Sequence, residues 1–134
     1  MTQSLTTANP KALIGELMKP EMKIDTYGEK RWFLNGKLHR EDGPAVEYPN
    51  GTKFWFLNDL LHREDGPTVE YENGTKEWWL NGKLHRTDGP AMEWPNGEKD
   101  WYLKGKEVSW REVFKMAKTQ EQQVRILISA LTTP

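Results

Sequence analysis

The sequence predicts a mainly β protein, formed by a single twisted antiparallel sheet of repeated β-hairpins with helices at its ends. Two observations carry this prediction. A 23-residue unit recurs about three and a half times, beginning at Trp32, Trp55, Trp78 and Trp101. The residues after the last unit then leave the repeat pattern and take up helical periodicity. The whole chain is expected to form one compact domain.

The first segment, residues 1–26, contains the signals of one short helix. Asn9 is a suitable N-cap, Pro10 stands at the first helical position, and Pro20 ends a helix that reaches about Met18. We expect this helix to cover the N-terminal end of the sheet.

The repeat region, residues 27–108, has two tight-turn signals in every unit. The first set is Asn35-Gly36, Asn58-Asp59, Asn81-Gly82 and Lys104-Gly105, and the second is Asn50-Gly51, Asn73-Gly74 and Asn96-Gly97. Asn-Gly suits a two-residue type I′ hairpin because both central residues need positive φ. Two-residue loops in both sets would pair Val46 with Trp55, and Trp55 with His62. An Asp-Gly-Pro bend interrupts regular pairing between the two turns.

This register predicts a sheet with two partly apolar faces. One face carries Val46 and its copy Val69 with residues that we interpret as the structural core of the repeat, namely Trp32, Trp55, Trp78, Trp101, His39, His62 and His85. The opposite face carries the aromatic row Phe33, Phe56, Trp79 and Tyr102. A sheet that is apolar on both faces needs cover on at least one of them.

The last segment, residues 109–134, predicts one amphipathic capping helix. Ser109 and Glu112 form a capping box, and the helix is expected to end near Leu131. Apolar residues at helical spacing predict the side that packs on the last hairpin: Val113, Phe114, Ala117, Val124, Leu127, Ile128 and Leu131. Terminal repeats of an array usually need such a cap.

The unit resembles a MORN-type repeat, with its Trp, its Asn-Gly-Lys-x-His and its second Asn-Gly. It is most similar to the variant with His-Arg-x-Asp-Gly-Pro-Ala, which is common in phages and giant viruses. The resemblance covers about residues 27–106. It implies a hairpin-repeat fold and a viral accessory role.

Nothing in the sequence predicts an enzyme, a metal or a cofactor. The trio His39-Arg40-x-Asp42 contains a base, a cation and a carboxylate, but it recurs in every full unit, whereas an active site needs one asymmetric pocket. Histidines of neighbouring units stand two strands apart, about 9.6 Å at ~4.8 Å per strand, which is too far to share a metal ion. We therefore interpret the trio as structural.

Charge and composition disfavour two classes of partner. Residues 1–110 carry 15 Lys/Arg against 18 Asp/Glu, a net −3, and residues 111–134 carry 4 against 2, a net +2. This balance disfavours binding to nucleic acid or to an anionic membrane surface. Cysteine is absent, and the chain shows neither a signal peptide nor a membrane-spanning apolar run, so we expect a cytoplasmic protein.

Three rows of side chains are candidates for partner binding. They are the aromatic row Phe33, Phe56, Trp79 and Tyr102, the arginine row Arg40, Arg63 and Arg86, and the glutamate row Glu47, Glu70 and Glu93. Each row has a structural alternative. The aromatic row is then core beneath the helix, and the charged rows are cross-strand ion pairs or a solvated face.

The expected function is that of a non-enzymatic protein-binding repeat module. Together with the viral resemblance, it implies a phage-encoded protein that binds and inhibits a host protein complex in the host cytoplasm, as anti-CRISPR proteins do. Capture of a nucleotide or another small ligand and a scaffold at a membrane surface are the alternatives. An exposed sheet edge also leaves a homodimer open.

Overall fold

The computed structural model describes residues 9–132, in which each full repeat supplies two strands to one large antiparallel sheet and a hairpin beside them. The strands are β1 Glu21–Ile24, β2 Lys30–Leu34, β3 Lys37–Leu38, β4 Val46–Glu47, β5 Lys53–Phe54, β6 Phe56–Leu57, β7 Leu60–Leu61, β8 Val69–Glu70, β9 Lys76–Glu77, β10 Trp79–Leu80, β11 Lys83–Leu84, β12 Met92–Glu93, β13 Lys99–Leu103 and β14 Lys106–Val108. The helices are α1 Pro10–Leu17, α2 Trp110–Met116 and α3 Gln120–Leu131.

The large sheet has ten strands in the order β1-β2-β4-β5-β8-β9-β12-β13-β14, with β3 paired to β2. Two further hairpins, β6–β7 and β10–β11, pair within themselves. This arrangement confirms the predicted fold class, a mainly β antiparallel sheet of repeated hairpins with terminal helices.

The first set of turns confirms the type I′ prediction. Asn35 and Gly36 have φ of 52° and 75°, and Asn58 and Asp59 have φ of 49° and 65°. Each hairpin tip is also bonded to the previous one, because the Asp59 N–H donates to the carbonyl oxygen of Leu38 at 2.9 Å. Neighbouring repeats are therefore joined by backbone hydrogen bonds at their tips as well as along the sheet.

The second set of turns differs from the prediction by one residue. Tyr48 and Thr52 close a three-residue loop, with the Tyr48 N–H donating to the Thr52 carbonyl oxygen at 2.9 Å. Only Gly51 takes positive φ, at 97°, while the Asn50 side chain accepts a hydrogen bond from the Thr52 N–H at 2.9 Å. A turn followed by one residue in the left-handed conformation is typical of a hairpin with a three-residue loop. The predicted pairing of Val46 with Trp55 is therefore wrong, and Val46 pairs with Phe54.

The corrected register redistributes the residues of the two faces. The tryptophan face, as we call it, carries Trp32, Trp55, Trp78 and Trp101 with the histidines that follow them, and the Trp55 carbonyl accepts from the His62 N–H as predicted. The aromatic face carries Phe33, Phe56, Trp79 and Tyr102. Val46 and Val69 lie on the aromatic face, on either side of Phe54 in the register.

Helix α1 begins as predicted, because the Asn9 side chain accepts a hydrogen bond from the Ala12 N–H at 2.8 Å. None of its residues is buried, so the expectation that it covers the end of the sheet is wrong. The outermost strand there is β1, which the sequence did not predict and which pairs Met22 with Trp32. Residues 1–8 of the N-terminal segment lie outside the described residues.

The C-terminal cap is present but consists of two helices. Ser109 and Glu112 form the predicted capping box at the start of α2. The chain then turns extended at Ala117, with ψ of 129°, and Thr119 caps α3 by accepting from the Gln122 N–H at 3.1 Å. The break changes which side of α3 meets the sheet.

Ile126 is the fully buried residue of α3, and it forms a cluster with Trp101 and Val113. The predicted stripe is wrong for three residues, since Val124, Ile128 and Leu131 are 48%, 62% and 72% exposed. The cap packs on Trp101, that is, on the tryptophan face. The aromatic row is consequently not core beneath the helix.

Candidate protein-binding surfaces

The His-Arg-x-Asp-Gly-Pro sequence builds one internal contact in each of three units, which we call the arginine clamp. The guanidinium carbons of Arg40, Arg63 and Arg86 lie 3.9, 4.0 and 3.8 Å from the ring centroids of Trp32, Trp55 and Trp78. Each arginine donates from Nε to the aspartate two residues later and from Nη1 to the proline carbonyl four residues later, which for Arg63 are bonds of 2.9 and 2.9 Å. Hydrogen bonding to Arg63 holds the pKa of Asp65 below its ordinary value.

The clamp explains why glycine precedes the proline. A Cβ atom on Gly43, Gly66 or Gly89 would stand 2.9, 2.8 or 2.6 Å from the guanidinium carbon of the clamp arginine. The guanidinium therefore fits between the indole ring and the bare glycine. The aspartate two residues after each arginine accepts from Nε and holds the guanidinium in place.

The histidines form a second repeated contact, between neighbouring units. Nδ1 of His39, His62 and His85 accepts the backbone N–H of Asn58, Asn81 and Lys104 at 3.1, 3.0 and 2.9 Å. A nitrogen that accepts a hydrogen bond carries no hydrogen, so in this contact the ring hydrogen lies on Nε2. Each histidine thus binds the turn of the next hairpin.

We expect acid to weaken the last of these contacts. Burial, and then the charge of Lys104, lower the pKa of His85 from its ordinary value of 6.5. The unfolded chain therefore binds more protons than the folded chain as the pH falls below about 6.5, and the free energy of unfolding decreases there. Urea unfolding at about pH 7.5 and about pH 5 measures this decrease.

His85→Asn is the matched control for this prediction. Its side-chain oxygen keeps an acceptor near the position of Nδ1 but does not titrate. The variant should lose part of the pH dependence and keep most of the stability at neutral pH. A pH dependence that is unchanged in the variant would assign the effect to other groups.

The glutamate row alternates with lysines across the tryptophan face. Paired strands place the charges in the order Lys30, Glu47, Lys53, Glu70, Lys76, Glu93 and Lys99. Glu47 and Glu93 also lie 3.5 and 3.3 Å from the clamp nitrogens of Arg40 and Arg86. This geometry favours cross-strand pairing as the role of both charged rows, and their role in partner binding stays a prediction.

Two open grooves separate successive clamps on the tryptophan face. Groove 1 lies between residues 40–44 and 62–65, has Trp55 and Leu57 among its lining residues, and has a volume of about 720 Å³. Groove 2 lies between residues 63–67 and 85–88, has Trp78 and Leu80 in the same places, and has a volume of about 640 Å³. The sequence analysis did not predict these grooves.

The aromatic face is larger than the predicted row. Phe54 packs edge-on against both Tyr48 and Tyr71, with ring centroids 5.9 Å apart in each pair, and it stacks on Phe56 at 6.4 Å. Tyr48, Tyr71 and Trp94 are 36%, 37% and 39% exposed. The cue for Phe54 was its spacing of two residues from Phe56, which places both side chains on one side of a strand.

Carboxylates accompany the aromatic rings in the later units. The indole nitrogens of Trp79 and Trp94 donate to Glu77 and Asp100, each at 2.7 Å. Burial and then Glu77 raise the pKa of the Tyr71 hydroxyl above its ordinary value. In these later units the aromatic face therefore combines π surface with negative charge, whereas at its first end Lys23 lies over the Phe33 ring.

Residues 9–132 hold no group of three or more histidine, cysteine or acidic side chains arranged to bind a metal ion. No helix in that part of the chain is long and apolar enough to span a membrane.

The fold and its surfaces define a class, a mainly β repeat protein with one helix-capped face and one open aromatic face. Comparison with known proteins returned no match: no family model, curated protein or solved structure is similar to the chain at a significant level. Function is therefore inferred from the surfaces described above.

Proposed function

We propose that this chain is a non-enzymatic protein-binding module whose aromatic face contacts the partner. The observation that carries the proposal is the partial exposure of Tyr48, Tyr71 and Trp94 on the face opposite the helical cap. Tyrosine and tryptophan bury a large area for the few torsions that they immobilise, and they are enriched in the cores of interfaces. A row of such rings across several repeats suits an extended protein surface.

The chemistry of this face favours a partner with basic side chains. Glu77 and Asp100 lie among the rings, and lysine or arginine side chains of a partner would meet both a carboxylate and the face of an aromatic ring. Such cation–π contacts contribute about 0.5–2 kcal/mol each, depending on burial. The contacts would add to the hydrophobic burial of Phe33, Phe56, Trp79 and Tyr102.

The resemblance to viral repeat proteins supports a more specific proposal. The chain would be a phage-encoded protein that acts in the host cytoplasm, where it binds a host protein complex of the defence type. Inhibition would follow from covering a surface that the complex needs, so neither a catalytic residue nor a cofactor is required.

Affinity capture of the tagged protein from bacterial lysate, followed by mass spectrometry of proteins and small molecules, tests the proposal. We expect one enriched protein or complex. Replacing both Trp79 and Tyr102 by alanine should reduce its recovery about tenfold or more, because central aromatic residues dominate interface energies. Circular dichroism checks that the variant remains folded.

Tyr27→Ala is the matched control, since Tyr27 is 86% exposed in the turn before β2 and makes none of the ring contacts described for the aromatic face. Its recovery of the partner should equal that of the unchanged protein. Recovery of a nucleotide without any protein would instead support ligand capture, and equal recovery by all variants would remove the aromatic face from the proposal.

A further inference from the structure

The fourth unit has the floor of a third groove, and the chain fills that position with its own helix. Trp101 and Leu103 stand one unit after Trp78 and Leu80, which line groove 2. The cluster of Trp101, Val113 and Ile126 includes Leu103 at its border, and Trp101 is only 8% exposed. The structure therefore contains one occupied example of a site that occurs twice more.

Helix α3 is anchored in this position at three points. Directly before the central Ile126, Arg125 Nη1 donates to Asp88 Oδ2 at 3.3 Å. In its middle, Ile126 packs on the floor. At its end, Lys99 Nζ donates to the carbonyl oxygens of Ser129 and Thr132 at 2.5 and 2.9 Å, and a cation is favoured at a helix C-terminus.

The residues that make these three anchors recur at the equivalent positions of the two preceding units, although the lysines there stand in the Lys/Glu row and do not line the grooves themselves. The equivalents of Asp88, Trp101, Leu103 and Lys99 are Asp65, Trp78, Leu80 and Lys76 at groove 2, and Asp42, Trp55, Leu57 and Lys53 at groove 1. The side chains of Asp42 and Asp65 are each 87% exposed, whereas that of Asp88 is 31% exposed. Lys53 and Lys76 are likewise exposed, and Lys99 is not.

We propose that grooves 1 and 2 are docking sites for an α-helix of a partner protein, one that carries a basic residue directly before an aliphatic residue, as α3 does at Arg125 and Ile126. The basic side chain pairs with the groove aspartate, and the aliphatic side chain packs on the floor. The lysine equivalent to Lys99, which is Lys53 or Lys76, binds the last carbonyl groups of the helix. The inference rests on the proposed protein-binding function but assigns it a second surface, on the opposite face of the sheet.

Spacing and charge both favour this occupant. Neighbouring grooves lie one unit apart, about 9.6 Å for two strands, and packed helices lie about 8–10 Å apart. A helix in groove 2 would therefore pack beside α3, whose Gln122 and Arg125 already line that groove. Glu41 and Glu64, each with a side chain 84% exposed, add negative charge to the walls and favour a basic helix.

One difference separates the open grooves from the occupied one. Arg63 and Arg86 stack on the floor tryptophans of grooves 1 and 2, whereas Ser109 stands at the equivalent position of the fourth unit. The floor of an open groove thus offers a guanidinium plane beside the indole ring. An aliphatic side chain can pack on that plane, and binding is expected to be weaker than the intramolecular contact of α3.

Nuclear magnetic resonance titration of the ¹⁵N-labelled full chain tests the proposal. The probe is a synthetic peptide with the sequence of residues 118–132, blocked at both ends. The indole N–H signals of Trp55 and Trp78 should shift and saturate as the peptide is added. Asp42→Asn with Asp65→Asn should weaken binding about fivefold, the upper range for exposed ion pairs, while the asparagines still accept from the clamp arginines.

Two controls make the test specific. A peptide with glutamate in place of Arg125 and alanine in place of Ile126 should cause no saturable shift. The protein variant Glu98→Gln with Glu107→Gln removes two exposed carboxylates that line neither groove 1 nor groove 2, and it should bind like the unchanged protein. Absence of shifts at Trp55 and Trp78 up to about 1 mM peptide, or shifts confined to Trp94 or Trp101, would overturn the proposal.

The two proposals fail separately. A captured complex that depends on Trp79 and Tyr102, with no peptide binding at Trp55 and Trp78, leaves the aromatic face as the binding surface and removes the grooves. Saturable, charge-dependent peptide binding without any captured protein keeps the grooves and removes the proposed function of the aromatic face.

Discussion

Replacing Ile126 by alanine should lower the free energy of unfolding by about 2–4 kcal/mol, whereas Ile128→Ala should change it by less than about 0.5 kcal/mol. Ile126 is fully buried against Trp101 and Val113, so the shorter side chain leaves a cavity. Ile128 is 62% exposed and loses little. Urea unfolding, followed by tryptophan fluorescence and by circular dichroism, measures both values.

The two isoleucines form a matched pair, because they lie two residues apart in the same helix. A continuous helix from Ser109 to Leu131 would instead direct the stripe of Ile128 toward the sheet. Equal effects of the two substitutions, or a larger effect at Ile128, would contradict the break between α2 and α3.

Replacing Arg63 by lysine should lower the free energy of unfolding by about 2 kcal/mol, although the positive charge is kept. Lysine cannot lie flat on Trp55 while donating to both Asp65 and the Pro67 carbonyl, as the guanidinium does. Arg31→Lys is the control, since the Arg31 side chain is 49% exposed and its ion-pair partner is Glu29, two residues before it in the chain. For Arg31→Lys we expect the free energy of unfolding to change by less than about 0.5 kcal/mol.

Gly66→Ala should disrupt the same arginine clamp without changing Arg63. The new Cβ would displace the guanidinium, so the double variant with Arg63→Lys should lose clearly less stability than the sum of the single losses. Additive losses would show that Gly66 is needed for another reason than the arginine clamp. The measurement is the coupling free energy of the double-mutant cycle.

Turn chemistry was predictable where one dipeptide decides the geometry. Asn35-Gly36 requires two residues at positive φ, and even the variant Asn58-Asp59 takes the same turn. At Asn50-Gly51 the dipeptide alone does not determine the length of the loop. The Asn50 side chain satisfies the Thr52 N–H, only the glycine turns left-handed, and the loop gains a residue. This one-residue difference moved Val46 to the other face.

The helix break had a local signal that helical spacing hides. Thr119 followed three residues later by Gln122 is a capping sequence, and Gln122 also accepts from the Lys118 N–H at 2.8 Å. The apolar residues stay in phase across the break, because Ala117 and Val124 lie seven residues, or two helical turns, apart. Periodicity alone therefore predicted one helix and assigned Val124 to the buried side.

The candidate surfaces were predictable only in part. Alternation along a strand places Phe33, Phe56, Trp79 and Tyr102 on one face, and the structure agrees. Which face the helices cover depends on the rotation of α3 after Thr119, which no repeat pattern encodes. The grooves depend on the depth between neighbouring clamps, so they became visible only in three dimensions.

Nearest-neighbour bonding between units has an evolutionary consequence. β5 pairs with β8 and β9 pairs with β12, so each internal unit meets only the units next to it, and the first strand and the helical cap meet the ends. Tandem duplication or loss of one 23-residue copy would preserve every type of contact. Each change in copy number would lengthen or shorten the sheet by about 9.6 Å and add or remove one groove. Recombination alone can thus change the size of the sheet and the number of grooves, without any new type of contact between units.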